Sequence, residues 1–122
     1  MPDARGLVVL VEDDTGMRDA AERVLAATGF EVLGFDSAES ALQDRATLDA
    51  RCLVLDVHLP GISGFELYER LLAVGRKPAV VFISARDDTH TKVRSTQFGA
   101  LAFLVKPFSG HTLCAVVAKA FV

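Results

Sequence analysis

Four apolar runs in this chain stop at groups that can handle phosphate or a hard cation. Leu7-Val-Val-Leu-Val11 runs into Glu12-Asp13-Asp14, and Cys52-Leu-Val-Leu55 ends in Asp56. Ala79-Val-Val-Phe-Ile83 ends in Ser84, and Ala102-Phe-Leu-Val105 is followed by Lys106. Brought together, these ends form an acidic pocket with one ammonium and one hydroxyl. Crowded carboxylates repel and raise one another's pKa. A hard divalent cation relieves that repulsion. One or two carboxylates, a carbonyl, waters and phosphate oxygens make the usual oxygen shell of Mg²⁺. Lys106 suits a phosphate oxygen as a point charge, and Ser84 can donate to another. A carboxylate between metal and lysine is placed to act as a nucleophile toward a phosphoryl group. Such a transfer needs little beyond positioning and charge neutralisation.

Each residue also has a plainer structural reading. Glu12-Asp13-Asp14 suits a helix N-terminus, where acids complement the dipole. Asp56 reads as a turn former, Ser84 as a turn hydroxyl, and Lys106-Pro107 as a strand end. What favours chemistry is the combination, in order, on successive strand ends.

The elements that would carry these ends follow from periodicity. The run from Leu7 to Val11 is apolar on both faces, which suits a buried parallel strand. Met17, Ala20, Ala21, Val24, Leu25 and Thr28 recur at helical spacing, with Gly29 as the stop. Glu31–Phe35 reads as a second strand. Asp36 or Ser37 caps a helix through Ala38, Ala41, Leu42 and Ala46. After the third strand, His58-Leu-Pro-Gly-Ile-Ser-Gly64 is turn chemistry. Phe65, Leu67, Tyr68, Leu71 and Leu72 give a helix ending near Gly75. Asp87-Asp88-Thr89 starts a weakly held helix whose large apolar residues are chiefly Val93 and Phe98. Ser109 starts the last, with Leu113, Val116, Val117, Ala120 and Phe121 inward. Five strands alternating with five helices mean a doubly wound α/β domain with a parallel sheet. Chemistry in such sheets gathers at the carboxyl ends of the strands.

Composition agrees. The 122 residues are 51% hydrophobic and 24% charged, as in one packed domain. Thirteen Lys+Arg against sixteen Asp+Glu leave a net charge of −3, which argues against nucleic-acid binding by charge. Two cysteines, Cys52 and Cys114, are too few for a disulfide scaffold and read as reduced core thiols. No apolar run approaches the roughly 20 residues of a membrane span. Without a signal-peptide pattern at the start, the expectation is a soluble cytoplasmic protein with no membrane association.

At the level of motifs the chain resembles the receiver domains of response regulators in bacterial two-component phosphorelays. The likeness rests on Val11-Glu-Asp-Asp14, Leu55-Asp-Val-His-Leu-Pro-Gly-Ile-Ser-Gly64, Phe82-Ile-Ser-Ala85 and Phe103-Leu-Val-Lys-Pro-Phe108. It covers about residues 7–121, so residues 1–122 are taken as one receiver domain. The resemblance implies a flavodoxin-like (βα)5 fold with strand order 2-1-3-4-5. It makes Asp56 the phosphoacceptor, Asp13 a direct Mg²⁺ ligand and Glu12 a ligand mostly through water. The backbone carbonyl of His58 completes the protein ligands. Asp14 falls one place past the usual acidic pair and is assigned first to the helix start. Ser84 matches the switch hydroxyl, Lys106 the phosphate-binding lysine, usually followed by a cis proline bond, and Phe103 the switch aromatic. His58 and Arg86 occupy positions flanking the path of the hydrolytic water and are candidate modulators of hydrolysis. Their plainer readings are a loop imidazole and a surface charge. His90 and His111 receive no metal role.

By the same resemblance the partners are a sensor histidine kinase and an output domain or downstream protein. The helix 4, strand 5 and helix 5 face would carry the output contact, with homodimerisation on phosphorylation as a further expected association. The neighbourhood of Phe103 looks most like regulators with a helix-turn-helix output. The chain is read as a stand-alone receiver or as the N-terminal domain of a longer regulator. It is not expected to be an enzyme beyond assisting its own phosphorylation and dephosphorylation. A competing reading is a Mg²⁺-dependent phosphohydrolase working through an aspartyl phosphate. It would want a second Asp two residues after Asp56, where His58 stands. An FMN carrier would want a phosphate loop where Glu12-Asp13-Asp14 repels phosphate, and a degenerate receiver would lack part of the site.

Overall fold

Period-2 side-chain alternation on buried strands lets one sheet feed two cores. The computed structural model describes residues 6–122. Its strands are β1 (Leu7–Val11), β2 (Glu31–Phe35), β3 (Cys52–Asp56), β4 (Ala79–Ser84) and β5 (Ala102–Val105). They are parallel, in the order β2-β1-β3-β4-β5. The helices are α1 (Thr15–Ala27), α2 (Ala38–Gln43), α3 (Gly64–Ala73), α4 (Thr89–Gln97) and α5 (Gly110–Ala118). Val9, Val11, Leu53, Leu55, Val80 and Phe82 face α2 and α3, packing on Ala38, Ala41, Phe65, Leu67, Tyr68 and Leu71. Val8, Leu10, Cys52, Val54, Val81 and Ile83 face α1 and α5, packing on Ala21, Leu25, Leu113 and Val117. Burying each such Val, Leu or Phe contributes about 1.5–3 kcal/mol, so the central strands are the fixed part of the molecule.

Four helix starts carry the side-chain caps that the turn residues suggested. Asp14 accepts from Met17 N at 2.8 Å, and Ser37 from Ser40 N at 3.1 Å. Asp88 accepts from Thr91 N at 2.7 Å, and Ser109 from Thr112 N at 3.0 Å. Each satisfies a backbone donor that a helix end leaves unpaired. Asp14 is thereby a helix cap, as its position implied.

Three local expectations change. The second helix does not reach Ala46: it ends at Gln43, and Asp44 caps a separate 3-10 helix, Arg45–Asp49, by accepting from Ala46 N at 2.9 Å. A short Asp side chain competes with the helix for backbone donors and breaks it there. On α4, Val93 is 49% exposed and points away from the sheet, while Thr91 and Ser95 are the buried residues. Phe98, the α4 C-cap residue, is half-buried and does the apolar packing, against Phe65, Tyr68 and Phe82 with ring centroids 5.6–5.9 Å apart. Cys52 is buried, but Cys114 is half-buried and accepts from Thr28 Oγ1 at 3.2 Å at the α1–α5 seam. Among the described residues no helix is long and apolar enough to cross a membrane.

Candidate functional site

β1, β3 and β4 are adjacent, so Glu12, Asp56 and Ser84 emerge side by side at the carboxyl edge of the sheet. Lys106, one residue past β5, donates its backbone N to Ser84 O at 2.8 Å, which brings its side chain beside them. The Lys106–Pro107 peptide bond is cis.

Two carboxylates are nearly fully buried here, and a half-buried ammonium meets them. Glu12 is 1% exposed and Asp56 4%. Lys106 Nζ lies 2.8 Å from Asp56 Oδ2 and 2.7 Å from Glu12 Oε1. The first contact is an aligned hydrogen bond; the second is an ion pair without hydrogen-bond alignment. The remaining carboxylate oxygens are held by backbone. Asp56 Oδ1 accepts from His58 N at 2.9 Å, and Glu12 Oε2 from Asp14 N at 3.0 Å. Burial pushes the Glu12 carboxyl above its ordinary pKa, opposed by Lys106 and the Asp14 N–H, with Asp56 adding repulsion. Burial alone would lower the Lys106 ammonium, but the contacts with Asp56 and Glu12 outweigh it and raise its pKa.

Asp13 stands at the exposed rim, and one oxygen each from Glu12, Asp13 and Asp56 lies within 4.8 Å of the others. Three carboxylates against one ammonium leave a formal charge of −2 (−3 + 1). An all-oxygen donor set with that excess suits a hard divalent cation, so the pocket can hold one.

Ser84 is buried, and its Oγ accepts from Arg86 N at 2.9 Å. That bond leaves the hydroxyl proton for another acceptor. The side chains of His58 and Arg86 are exposed; their backbone N–H groups are what tie them to the site. Phe103 is half-buried, opposite Phe82 in the β4–β5 register, and packs on the α2–α3 core.

Two supporting residues were not picked out from the sequence. Arg18 of α1 donates from Nη1 to the Glu12 carbonyl at 2.7 Å, holding the β1–α1 turn. Glu39 of α2 accepts at Oε2 from Ile62 N at 3.1 Å, holding the β3–α3 loop. Arg18 lies six residues from its partner, so one helical turn past an acidic run was a usable signal. Glu39 lies 23 residues from its partner and had none.

The chain can be set beside known proteins on these grounds. A model of the response regulator receiver domain matches residues 8–118. Nodulation protein W of Bradyrhizobium diazoefficiens is 36% identical over 116 residues, covering 95% of this chain and 51% of that protein. The transcriptional regulatory protein FixJ of Azorhizobium caulinodans is 36% identical over 110 residues, covering 90% and 52%. Among solved structures, the response regulator StyR superposes with a TM-score of 0.84 at 37% identity, covering 95% of this chain and 59% of that one. A BeF3-activated DrrB receiver domain superposes with a TM-score of 0.85 at 25% identity, covering 94% and 96%. The chain spans about half the length of the curated relatives it matches. A match running from β1 into α5 takes in every strand end described above, and the chain belongs to the response regulator receiver domain family, whose work is phosphorelay signalling.

Proposed function

We propose that this domain receives a phosphoryl group on Asp56 from the phosphohistidine of a sensor histidine kinase. The observation that carries this reading is the pairing of Asp56 with Lys106 in a buried pocket that keeps an excess of negative charge. A carboxylate oxygen of Asp56 attacks phosphorus, the phosphorus–nitrogen bond of the donor breaks, and the electron pair leaves with the imidazole, which takes a proton from water. His58 N holds one Asp56 oxygen and so fixes the carboxylate plane. Lys106, already within 2.8 Å of Asp56, is the nearest cation for a new phosphoryl oxygen. The Ser84 hydroxyl supplies a neutral donor for another.

Glu12, Asp13, Asp56 and the His58 carbonyl would hold Mg²⁺. The ion, when bound, neutralises charge on the donor phosphate and the pocket. Glu12 would act mostly through water. Ser84 and Phe103 would carry the change outward to α4, β5 and α5, which would meet an output domain, a downstream protein or a second copy. The sparse apolar packing of α4 supports that choice, because a marginally held element is what a local charge event can shift. Hydrolysis of the acyl phosphate would be modulated by His58 and Arg86, both exposed beside the pocket. The domain thus acts as a signalling acceptor that assists its own phosphorylation and dephosphorylation. A cytoplasmic location fits a kinase-coupled domain of this kind.

Treatment with acetyl phosphate and Mg²⁺, followed by intact mass, tests the assignment. Wild type is expected to gain one phosphoryl group and Asp56→Asn none. Equal labelling of Asp56→Asn would remove Asp56 from its role.

A further inference from the structure

The loop between β3 and α3, residues 57–63, carries the His58 carbonyl, and the base and the tip of that loop are held differently. The base, where the loop leaves Asp56 and enters α3, is tied by backbone bonds. Val57 N donates to Ile83 O at 2.9 Å, and Gly64 N to Val57 O at 3.2 Å. His58 N donates to Asp56 itself. The far limb, from Leu59 to Ile62, is held by burial of the Leu59 side chain, by the half-buried Ile62 side chain packed on the core, and by one hydrogen bond to a side chain, from Ile62 N to Glu39 Oε2. Glu39 comes from another element, the first turn of α2. Its carboxylate sits where a Cβ on Gly61 would fall, and Gly61 has φ +75°, so loop and carboxylate are fitted to each other. The Ile62 N–H is the main influence holding the Glu39 pKa below the ordinary carboxylate value, followed by its own N–H, with Arg70 adding weakly and burial opposing.

We propose that Glu39 is a positioning residue for the cation site: it fixes the β3–α3 loop, and with it the His58 carbonyl, from outside the pocket. The inference rests on the proposed Mg²⁺ role of that carbonyl. Mg²⁺ demands near-ideal octahedral geometry, so a loop free to shift by a fraction of an ångström presents a poorer ligand. Outer-shell partners of metal ligands typically change affinity by about 10- to 100-fold. Glu39 acts one step further out, through the loop, so roughly 3- to 10-fold is expected.

Glu39→Gln keeps an acceptor oxygen for Ile62 N and removes the charge; Glu39→Ala removes both. Mg²⁺ affinity would be measured by calorimetry on wild type and both variants. Amide hydrogen exchange of residues 57–63 would be followed in EDTA, with thermal unfolding as the check on folding. Expected are faster exchange at Ile62 and His58 and roughly 3- to 10-fold weaker Mg²⁺ binding in Glu39→Ala, with Glu39→Gln within about twofold of wild type on both readouts. Lower thermal stability with unchanged Mg²⁺ affinity and unchanged loop exchange would overturn the proposal in favour of a purely structural role. Equal losses in both variants would overturn it too, because charge rather than the hydrogen bond would then matter. If wild type itself binds no Mg²⁺, the metal reading under the proposed function falls and this inference falls with it. If wild type binds Mg²⁺ and Glu39→Ala matches it, this inference alone falls.

Discussion

Replacing Lys106 by Met keeps the aliphatic stem and deletes the one ammonium among three carboxylates. In wild type that ammonium lies 2.7 Å from Glu12 and 2.8 Å from Asp56, which are 1% and 5% exposed at the side chain. Breaking a buried ion pair by removing one partner costs about 3–5 kcal/mol, because the other charge stays buried and unpaired. The Lys106 side chain is 20% exposed, so water already shares its charge and the low end applies, about 3 kcal/mol. For a small domain with a urea m-value of roughly 1–3 kcal/mol/M, that moves the unfolding midpoint down by about 1–3 M. The assay is urea unfolding by circular dichroism in EDTA and again in saturating Mg²⁺. A ligand at about 100 times its Kd stabilises by about 2.7 kcal/mol. The variant has no ammonium contending for the Glu12 and Asp56 oxygens, so Mg²⁺ should stabilise it more than wild type and the gap should narrow. Adding Glu12→Gln to Lys106→Met should restore part of the loss in EDTA. Equal midpoints of wild type and Lys106→Met in EDTA, or a gap that widens with Mg²⁺, would refute the electrostatic account of the pocket.

Two further outcomes are expected. Phe98→Ala removes the half-buried ring that anchors α4 on Phe65, Tyr68 and Phe82, at an expected cost of about 2 kcal/mol, below that of a fully buried Phe. Hydrogen exchange should speed up across α4 and β5 with β1 and β3 unchanged; uniform protection would sink this view of the helix. Burial pushes the Cys52 thiol up to about 12 from 9.0, so the folded state favours the protonated form. Its contribution is intact below pH 9 and is lost as pH rises toward 12, by roughly 1.4 kcal/mol per pH unit. The stability advantage of wild type over Cys52→Ala should therefore shrink between pH 9 and 11, and a constant difference would contradict it.

Much of this molecule is legible in one dimension because its signals are local. Continuous β-branched runs mark strands buried on both faces, and a Ser or Asp ahead of an amphipathic stretch marks a helix start. Periodicity and capping depend on residues within a turn or two of one another. The same locality separates Asp14, which caps α1, from Glu12 and Asp13, which face the pocket. Motif resemblance supplied the strand order, which periodicity leaves open. Tertiary structure alone decided what depends on distance through space. It turned Val93 outward and Thr91 and Ser95 inward on α4, because the neighbours of a weakly patterned helix choose its buried face. It set Lys106 between Glu12 and Asp56, 94 and 50 residues away, rather than on one of them. It tied His58 and Arg86 to the site through their backbone N–H groups and left their side chains exposed beside it. It joined Glu39 to Ile62 across 23 residues. No periodicity encodes such a bond: it exists because α2 and the β3–α3 loop both follow the carboxyl ends of strands, β2 and β3, that flank β1, and the Glu39 carboxylate there meets the Ile62 N–H.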